Sequence, residues 1–228
     1  FAKFTHALTD FPAQELAVII PNFHQLGHRR NQLKLAAEKD SDNRLTDCKA
    51  LLEFCLSEHE FIQKVTELEA SLPLRVTHND TKINNLLFCA SNDNPIAVID
   101  LDTCMPGFIM HDFGDMVRTC CSNLPEDGKN IEDMYVREDI LSALAKGYLS
   151  QLNSQISELE KQSLVIGAQL LPFMIGIRFL TDFIDGDNYF HTKYDMHNLD
   201  RAKNQIKLYS LLKNIQPKIH DMIYQLSS

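Results

Sequence analysis

The chain has 228 residues, a formal net charge of −9, 44% apolar residues and 23% charged residues. That balance allows a sizeable core in one large domain or two small ones. A surface this acidic disfavours non-specific nucleic-acid and anionic-membrane binding, so any site for a phosphorylated ligand must be locally basic or metal-loaded. Nothing at the start of the chain reads as a signal peptide. Six cysteines, Cys48, Cys55, Cys89, Cys104, Cys120 and Cys121, include no C-x-x-C pair. This argues against a zinc ribbon, and the apolar flanks suggest buried thiols in a reducing, cytoplasmic setting. The longest apolar run, Leu164–Ile177, carries Gln169 and Pro172 and falls short of the about 20 residues of a bilayer span. It is expected to be a core helix.

In chain order, Phe1, Phe4, Leu8 and Phe11 share one helical face from the first residue. That suggests a chain cut within a helix, with more upstream. Pro12–Ile20 reads as a short helix stopped by Pro21, and Asn22 as the cap of another through about Lys39. Ser41–Asn43 is a polar break. Thr46 or Asp47 then caps a helix bearing Leu51, Cys55, Ile62 and Val65, ended by Leu72–Pro73. Leu74–Thr77 leads into the stretch that carries the chemistry.

Within Val76–Asp102, His78, Asp80 and Asn85 fit H-x-D-x-x-x-x-N, the spacing of a phosphotransferase catalytic loop. Leu86–Cys89 and Ile96–Ile99 read as strands around a turn at Ala90–Pro95. In that antiparallel hairpin, Asn85 before the first strand and Asp100 after the second meet at one end. Asp80 is the candidate base, since a carboxylate can accept a hydroxyl proton and aim its oxygen. Asn85 and Asp100 are hard oxygen donors suited to Mg²⁺ and a triphosphate. Lys82 can meet a transferred phosphoryl group as a point charge. His78 is expected to brace the loop. Asp102 can touch metal, substrate or local backbone.

Thr103–His111 reads as a loop, Phe113–Cys121 as a helix and Asn123–Asn130 as a surface loop. Helices follow at about Val136–Leu149, Glu158–Leu171 and Pro172–Ile184. The last carries Leu199, Ala202, Ile206, Tyr209 and Leu212, with Pro217 interrupting its tail. Asp112-Phe113-Gly114 spells the protein-kinase metal motif but does not emerge from the hairpin. A loop-to-helix junction, with Asp112 or Asp115 near a helix N-terminus, fits it better. Arg178 lies in the apolar run Phe173–Leu180, so it is either paired internally or pointed into a pocket. Tyr189 follows the turn Asp185–Asp187 and reads more readily as packing than recognition. No G-x-G-x-x-G or P-loop is present. The expected fold is mostly α (α+β), a helical domain with one small embedded hairpin.

The phrases THNDTKINNLLF, VIDLDTCMPG, DFGDMVR, GIRFLTDFIDGDNYF and HNLDRAKNQIKL resemble the aminoglycoside phosphotransferase and choline kinase-like superfamily, most closely its N-acetylhexosamine 1-kinase branch. The resemblance implies a protein-kinase-like C-terminal lobe over residues 1–228, completed by an N-terminal ATP-binding lobe of the same protein upstream. It implies transfer from ATP, with Mg²⁺, to the anomeric hydroxyl of a small-molecule sugar, N-acetylglucosamine or N-acetylgalactosamine. Asp80 takes the base position, Asn85 and Asp100 the metal positions. Lys82, Asp102, Asp115, Arg178 and Tyr189 fall in the sugar and phosphate pocket. Competing readings are a kinase of choline, homoserine or an aminoglycoside, an inactive binding module or fragment, and a metal-dependent phosphatase using Asp100 and Asp102.

Overall fold

The structure is a computed structural model and describes residues 1–40, 42–152 and 154–225. Ser41, from the polar break at 41–43, lies outside the described residues. The chain is mostly helical. Helix α1 spans Ala2–Ala7, α2 Leu26–Lys39, α3 Leu45–Ser57 and α4 His59–Glu69. Four short strands follow: β1 Arg75–Thr77, β2 Leu86–Phe88, β3 Pro95–Val98 and β4 Met105–Gly107. Then come α5 Ile109–Cys120, α6 Glu138–Leu152, α7 Glu158–Ile184, α8 His197–Asn214 and α9 Gln216–Gln225.

Helix α7 is the spine. Its C-terminal half packs Phe173, Ile177, Leu180 and Phe183 against α2, α3, α4 and α8. Its N-terminal half packs Leu164, Val165 and Ala168 against α5, α6 and α9. By length and composition α7 could cross a bilayer, but 89% of its most apolar window is buried, so it is a core helix. A capping box starts it: Ser157 Oγ accepts from the Glu160 N–H at 3.2 Å, and Glu160 Oε2 accepts from the Ser157 N–H at 2.8 Å. Buried Glu160 also takes two hydrogen bonds from Arg75 at 2.8 and 3.0 Å. The spine is thereby tied to the strand that enters the catalytic loop.

Sequence had divided α7 at Pro172, yet the helix runs through it. Proline in a helix interior costs roughly 3 kcal/mol or more. Both halves are buried along their length, and that packing outweighs the cost. Helix α5 crosses α7 at backbone contact. A Cβ on Gly114 would overlap the Gly167 carbonyl oxygen, and one on Gly167 the Met110 carbonyl oxygen. Only paired glycines allow so close an approach.

Several local expectations are corrected. Pro12–Ile20 holds only a 3-10 turn at Ala13–Glu15, and Val18–Ile20 is irregular and exposed. The β-branched run and the residue before Pro21 both disfavour helix. The helix expected from Thr46 to Leu72 breaks at Glu58, whose carboxylate is bound by Tyr209 and Lys213 of α8. A tertiary anchor there overrides local propensity. Helix α1 buries Ala2 and Thr5; Phe1 and Phe4 instead meet the His78 ring edge-on, at 5.2 and 6.0 Å. Leu74–Thr77, the lead-in to the catalytic stretch, and Thr103–His111, expected as a loop, both hold regular structure. They contain β1 and β4, which pair antiparallel with Val76 opposite Pro106.

Candidate active site

The hairpin forms close to the expected place. Leu86 pairs with Val98 and Leu87 with Ala97, with a bulge between Leu87 and Phe88 that shifts the second strand to Pro95–Val98. One step beyond, the Ile99 N–H donates to the Asn85 carbonyl at 3.0 Å. The pairing thus brings Asn85 beside the residue that precedes Asp100. Asp100 adopts a left-handed backbone, φ +63°, which turns the chain out of the strand.

Asp80 lies within hydrogen-bond range of Lys82 and Asn85. Lys82 Nζ is 2.6 Å from Asp80 Oδ2 and 4.0 Å from Asp100 Oδ2. Asn85 Nδ2 donates to Asp80 Oδ2 at 3.0 Å and to the Asp80 carbonyl at 2.8 Å. These bonds engage one carboxylate oxygen of Asp80, Oδ2, and leave Oδ1 unengaged among the described residues. They also fix the Asn85 amide so that its oxygen remains as a donor to a cation. The Asp100 side chain is 48% exposed, so its oxygens are open to solvent. Among the described residues no three His, Cys, Asp or Glu side chains could hold a metal ion. Asn85 and Asp100 thus offer two hard oxygens. That suits Mg²⁺, which commonly takes one or two protein ligands and completes its shell with phosphates and water.

The loop itself is held from below by Asp112. Its Oδ2 accepts the His78 N–H at 3.0 Å and its Oδ1 the Asn79 N–H at 2.7 Å. Thr81 Oγ1 donates to the Asp112 carbonyl at 2.6 Å. Burial raises the Asp112 carboxyl above its ordinary range, and the two N–H bonds oppose that shift. Asp112 therefore supports the loop from the first turn of α5 and does not join Asn85 and Asp100. Sequence had separated it from the metal positions but missed this bracing. His78 Nδ1 accepts from the Asp80 N–H at 3.3 Å, and its Nε2 bonds the Ile99 carbonyl at 3.0 Å. The ring bridges the loop to the strand before Asp100, as a brace.

Asp115 sits one turn further along α5. Arg118 Nε donates to its Oδ1 at 2.8 Å, while its buried Oδ2 has no partner among the described residues. Burial raises its pKa, Arg118 pulls it down, and the nearby Asp80 charge raises it further. Arg118 continues to Glu126, which also binds Arg201. Asp102 lies exposed on the 3-10 turn Leu101–Thr103.

Arg178 and Tyr189 line a cavity of about 410 Å³ with Phe23, Arg29 and Phe190. The Arg178 guanidinium lies over the rings of Phe23, Tyr189 and Phe190 at 5.3–5.6 Å, and its Nη2 is 3.5 Å from Tyr189 Oη. Asp182 presents that tyrosine by accepting the backbone N–H groups of Tyr189 and Phe190 at 2.8 and 2.9 Å. Arg178 combines the two alternatives: it lines the cavity and is bonded internally to Tyr189. Arg29 was not singled out from sequence. Burial and the Arg178 charge lower its pKa to about 10. No periodicity marks it, because it reaches this cavity from α2.

Residues 2–149, the greater part of the chain, match the family described as phosphotransferase enzyme family. Among solved structures, a choline kinase from Cryptosporidium parvum Iowa II superposes with a TM-score of 0.53 over 98% of this chain and 67% of its own length, at 15% identity. At that identity the likeness is one of fold, and it agrees with the kinase-like, mostly helical architecture.

Proposed function

This chain belongs to the phosphotransferase enzyme family, and from that premise we propose that it is the catalytic, substrate-binding lobe of a small-molecule kinase. The acceptor we favour is the anomeric hydroxyl of N-acetylglucosamine or N-acetylgalactosamine, giving the sugar 1-phosphate. The carrying observation is the convergence of Asp80, Lys82, Asn85 and Asp100 at one end of the hairpin.

In this reading Asp80 Oδ1 accepts the acceptor proton and orients its oxygen, while Lys82 and Asn85 hold Oδ2. Asn85 Oδ1 and the Asp100 carboxylate would hold Mg²⁺. Bound there with ATP, the ion would neutralise charge on the phosphates. Lys82, between two carboxylates, supplies positive charge toward the transferred group. Asp115 Oδ2, buried and unpartnered among the described residues, would take a sugar hydroxyl, and exposed Asp102 would contact metal or substrate. Arg178 and Tyr189 recognise the sugar. Two guanidiniums in that cavity weigh against a cationic acceptor, because like charges repel where water is scarce.

We assign the N-terminal ATP-binding lobe of the same protein to the region of the hairpin and its flanking turns, where Ile83, Leu87, Phe88, Ile96 and Leu101 are exposed. Several large apolar side chains exposed in one short stretch favour an interaction site there. A neutral sugar partner and an overall charge of −9 suit a cytoplasmic enzyme without nucleic-acid or membrane partners.

The test is ADP release by the full-length protein with Mg-ATP and a panel of N-acetylglucosamine, N-acetylgalactosamine, glucose, choline, homoserine and kanamycin. Turnover confined to the N-acetylated sugars is expected. Turnover with another acceptor keeps the kinase and discards the roles of Arg178 and Tyr189. No turnover with any acceptor overturns the proposed acceptors.

A further inference from the structure

We propose that His24 is a positioning residue for phosphoryl transfer: it fixes the peptide plane that carries the candidate base. The inference rests on Asp80 being that base. His24 Nε2 lies 2.9 Å from the Asn79 carbonyl oxygen. A carbonyl only accepts, so Nε2 carries the hydrogen. The same peptide group ends in the Asp80 N–H, which donates to His78 Nδ1 at 3.3 Å. The plane between Asn79 and Asp80 is therefore held at both ends by imidazoles, His24 from 55 residues away and His78 from within the loop.

Asn79 needs this support. Its backbone is left-handed, φ +65°, a region disfavoured for residues with a Cβ. Its other polar groups are already engaged. The N–H goes to Asp112, the side-chain amide to the Thr77 and Thr103 carbonyls, and its oxygen accepts from Thr77 Oγ1. His24 supplies the bond to the remaining carbonyl. His24 is 91% buried, and its ring lies tilted against Phe23 at 4.4 Å and His111 at 5.0 Å. His111 in turn is held by Glu69 at 3.1 Å. These neighbours fix the ring, so its hydrogen bond has a set direction.

The experiment compares His24→Leu, His24→Gln and Asp80→Asn in the full-length protein. Two readouts are taken: steady-state kinetics with Mg-ATP and the acceptor, and amide hydrogen exchange of the loop. Glutamine places an amide N–H near the imidazole Nε2 position and can donate to the same carbonyl. Expected for His24→Leu is a kcat loss of about tenfold to a hundredfold, the scale of a small misplacement of a reacting group, with acceptor KM within about twofold. Exchange at the Asn79–Thr81 amides should quicken by about tenfold. His24→Gln should recover most of both. Unchanged kcat and exchange in a folded His24→Leu protein would overturn the proposal. So would a folded His24→Gln as impaired as His24→Leu. Asp80→Asn separates the two levels: full activity in that variant defeats the base assignment, whereas an inactive Asp80→Asn beside a fully active His24→Leu defeats this inference alone.

Discussion

The Asp112 carboxylate meets the Asn79 backbone N–H at 2.7 Å across 33 residues of sequence. With the His78 N–H on its other oxygen, the side chain works only as a double acceptor. Asp112→Asn would turn a donor amide against one of these N–H groups and leave both buried. The expected cost is about 1–3 kcal/mol of stability, together with a kcat loss of about tenfold or more as the loop loses its support. Urea denaturation and turnover measure the two. An unchanged midpoint with unchanged turnover would remove Asp112 from the framework of the loop.

Asp80 differs in kind. Its side chain is 25% exposed and pairs with a lysine that is 39% exposed, so the ion pair adds about 0–1 kcal/mol at most. Asp80→Asn should therefore leave the thermal midpoint nearly unchanged and lower kcat by about 10²–10⁴-fold, the range for loss of a general base. Wild-type-like turnover would end the base assignment. Asn85 and Asp100 should respond differently from Asp80, with losses that partly recover as Mg²⁺ is raised.

The contact between α5 and α7 can be tested through its glycines. Gly167→Ala drives a methyl into the Met110 carbonyl, and backbone on both sides prevents easy relief. Destabilisation of about 1–3 kcal/mol or more is expected. Gly147, on α6, has open space around its would-be Cβ. There the same substitution should stabilise by about 0.5–1 kcal/mol through helix propensity. Denaturation of the pair gives opposite signs if the close approach is real, and equal signs if it is not.

The legible part of this molecule was the part written locally. The H-x-D-x-x-x-x-N spacing and two short apolar runs around a turn were enough to bring Asn85 beside Ile99, the residue before Asp100, and the register at Leu86 and Val98 agrees. The pairing of β1 with β4 was not legible. Three-residue strands carry no periodicity, and their partners are separated by the whole hairpin. The same holds for His24 and Arg29, which reach the loop and the cavity from α2 and its approach. The helix break at Glu58 and the continuity at Pro172 carry no local signal because packing decides them, through Tyr209 in one case and two buried faces in the other.

Arg178 was an ambiguous residue in the sequence, and its surroundings now make a sharper expectation. Among the described residues its partners are aromatic rings and a tyrosine hydroxyl, with no carboxylate in salt-bridge range. Burial lowers its pKa, and Tyr189 opposes the shift. Arg178→Ala therefore removes no buried ion pair. Acceptor KM should rise about tenfold, equal to about 1.4 kcal/mol of lost binding, with a change in thermal midpoint of a few degrees at most. A severe loss of thermal stability with unchanged KM would make the residue a packing element.

His24 also ties stability to pH. Burial drives its pKa well below the usual imidazole range, and the neighbouring charges of His111, Arg178 and Arg29 push the same way, against the Asn79 hydrogen bond. The folded protein thus keeps the ring neutral, while the unfolded chain protonates it below about pH 6.5. Below that pH the unfolded state binds the extra proton, so stability rises with pH. The contribution is complete above the unfolded pKa and is lost as pH falls from there toward the folded value. The limiting slope is about 1.4 kcal/mol per pH unit. Urea midpoints of the wild type should drop between pH 7 and pH 5. His24→Gln, which has no titrating group, should show a shallower drop over the same window. Parallel curves for the two proteins would mean that the ring is protonated in the folded state as readily as in the unfolded one, and the neutral donor to Asn79 would lose its basis.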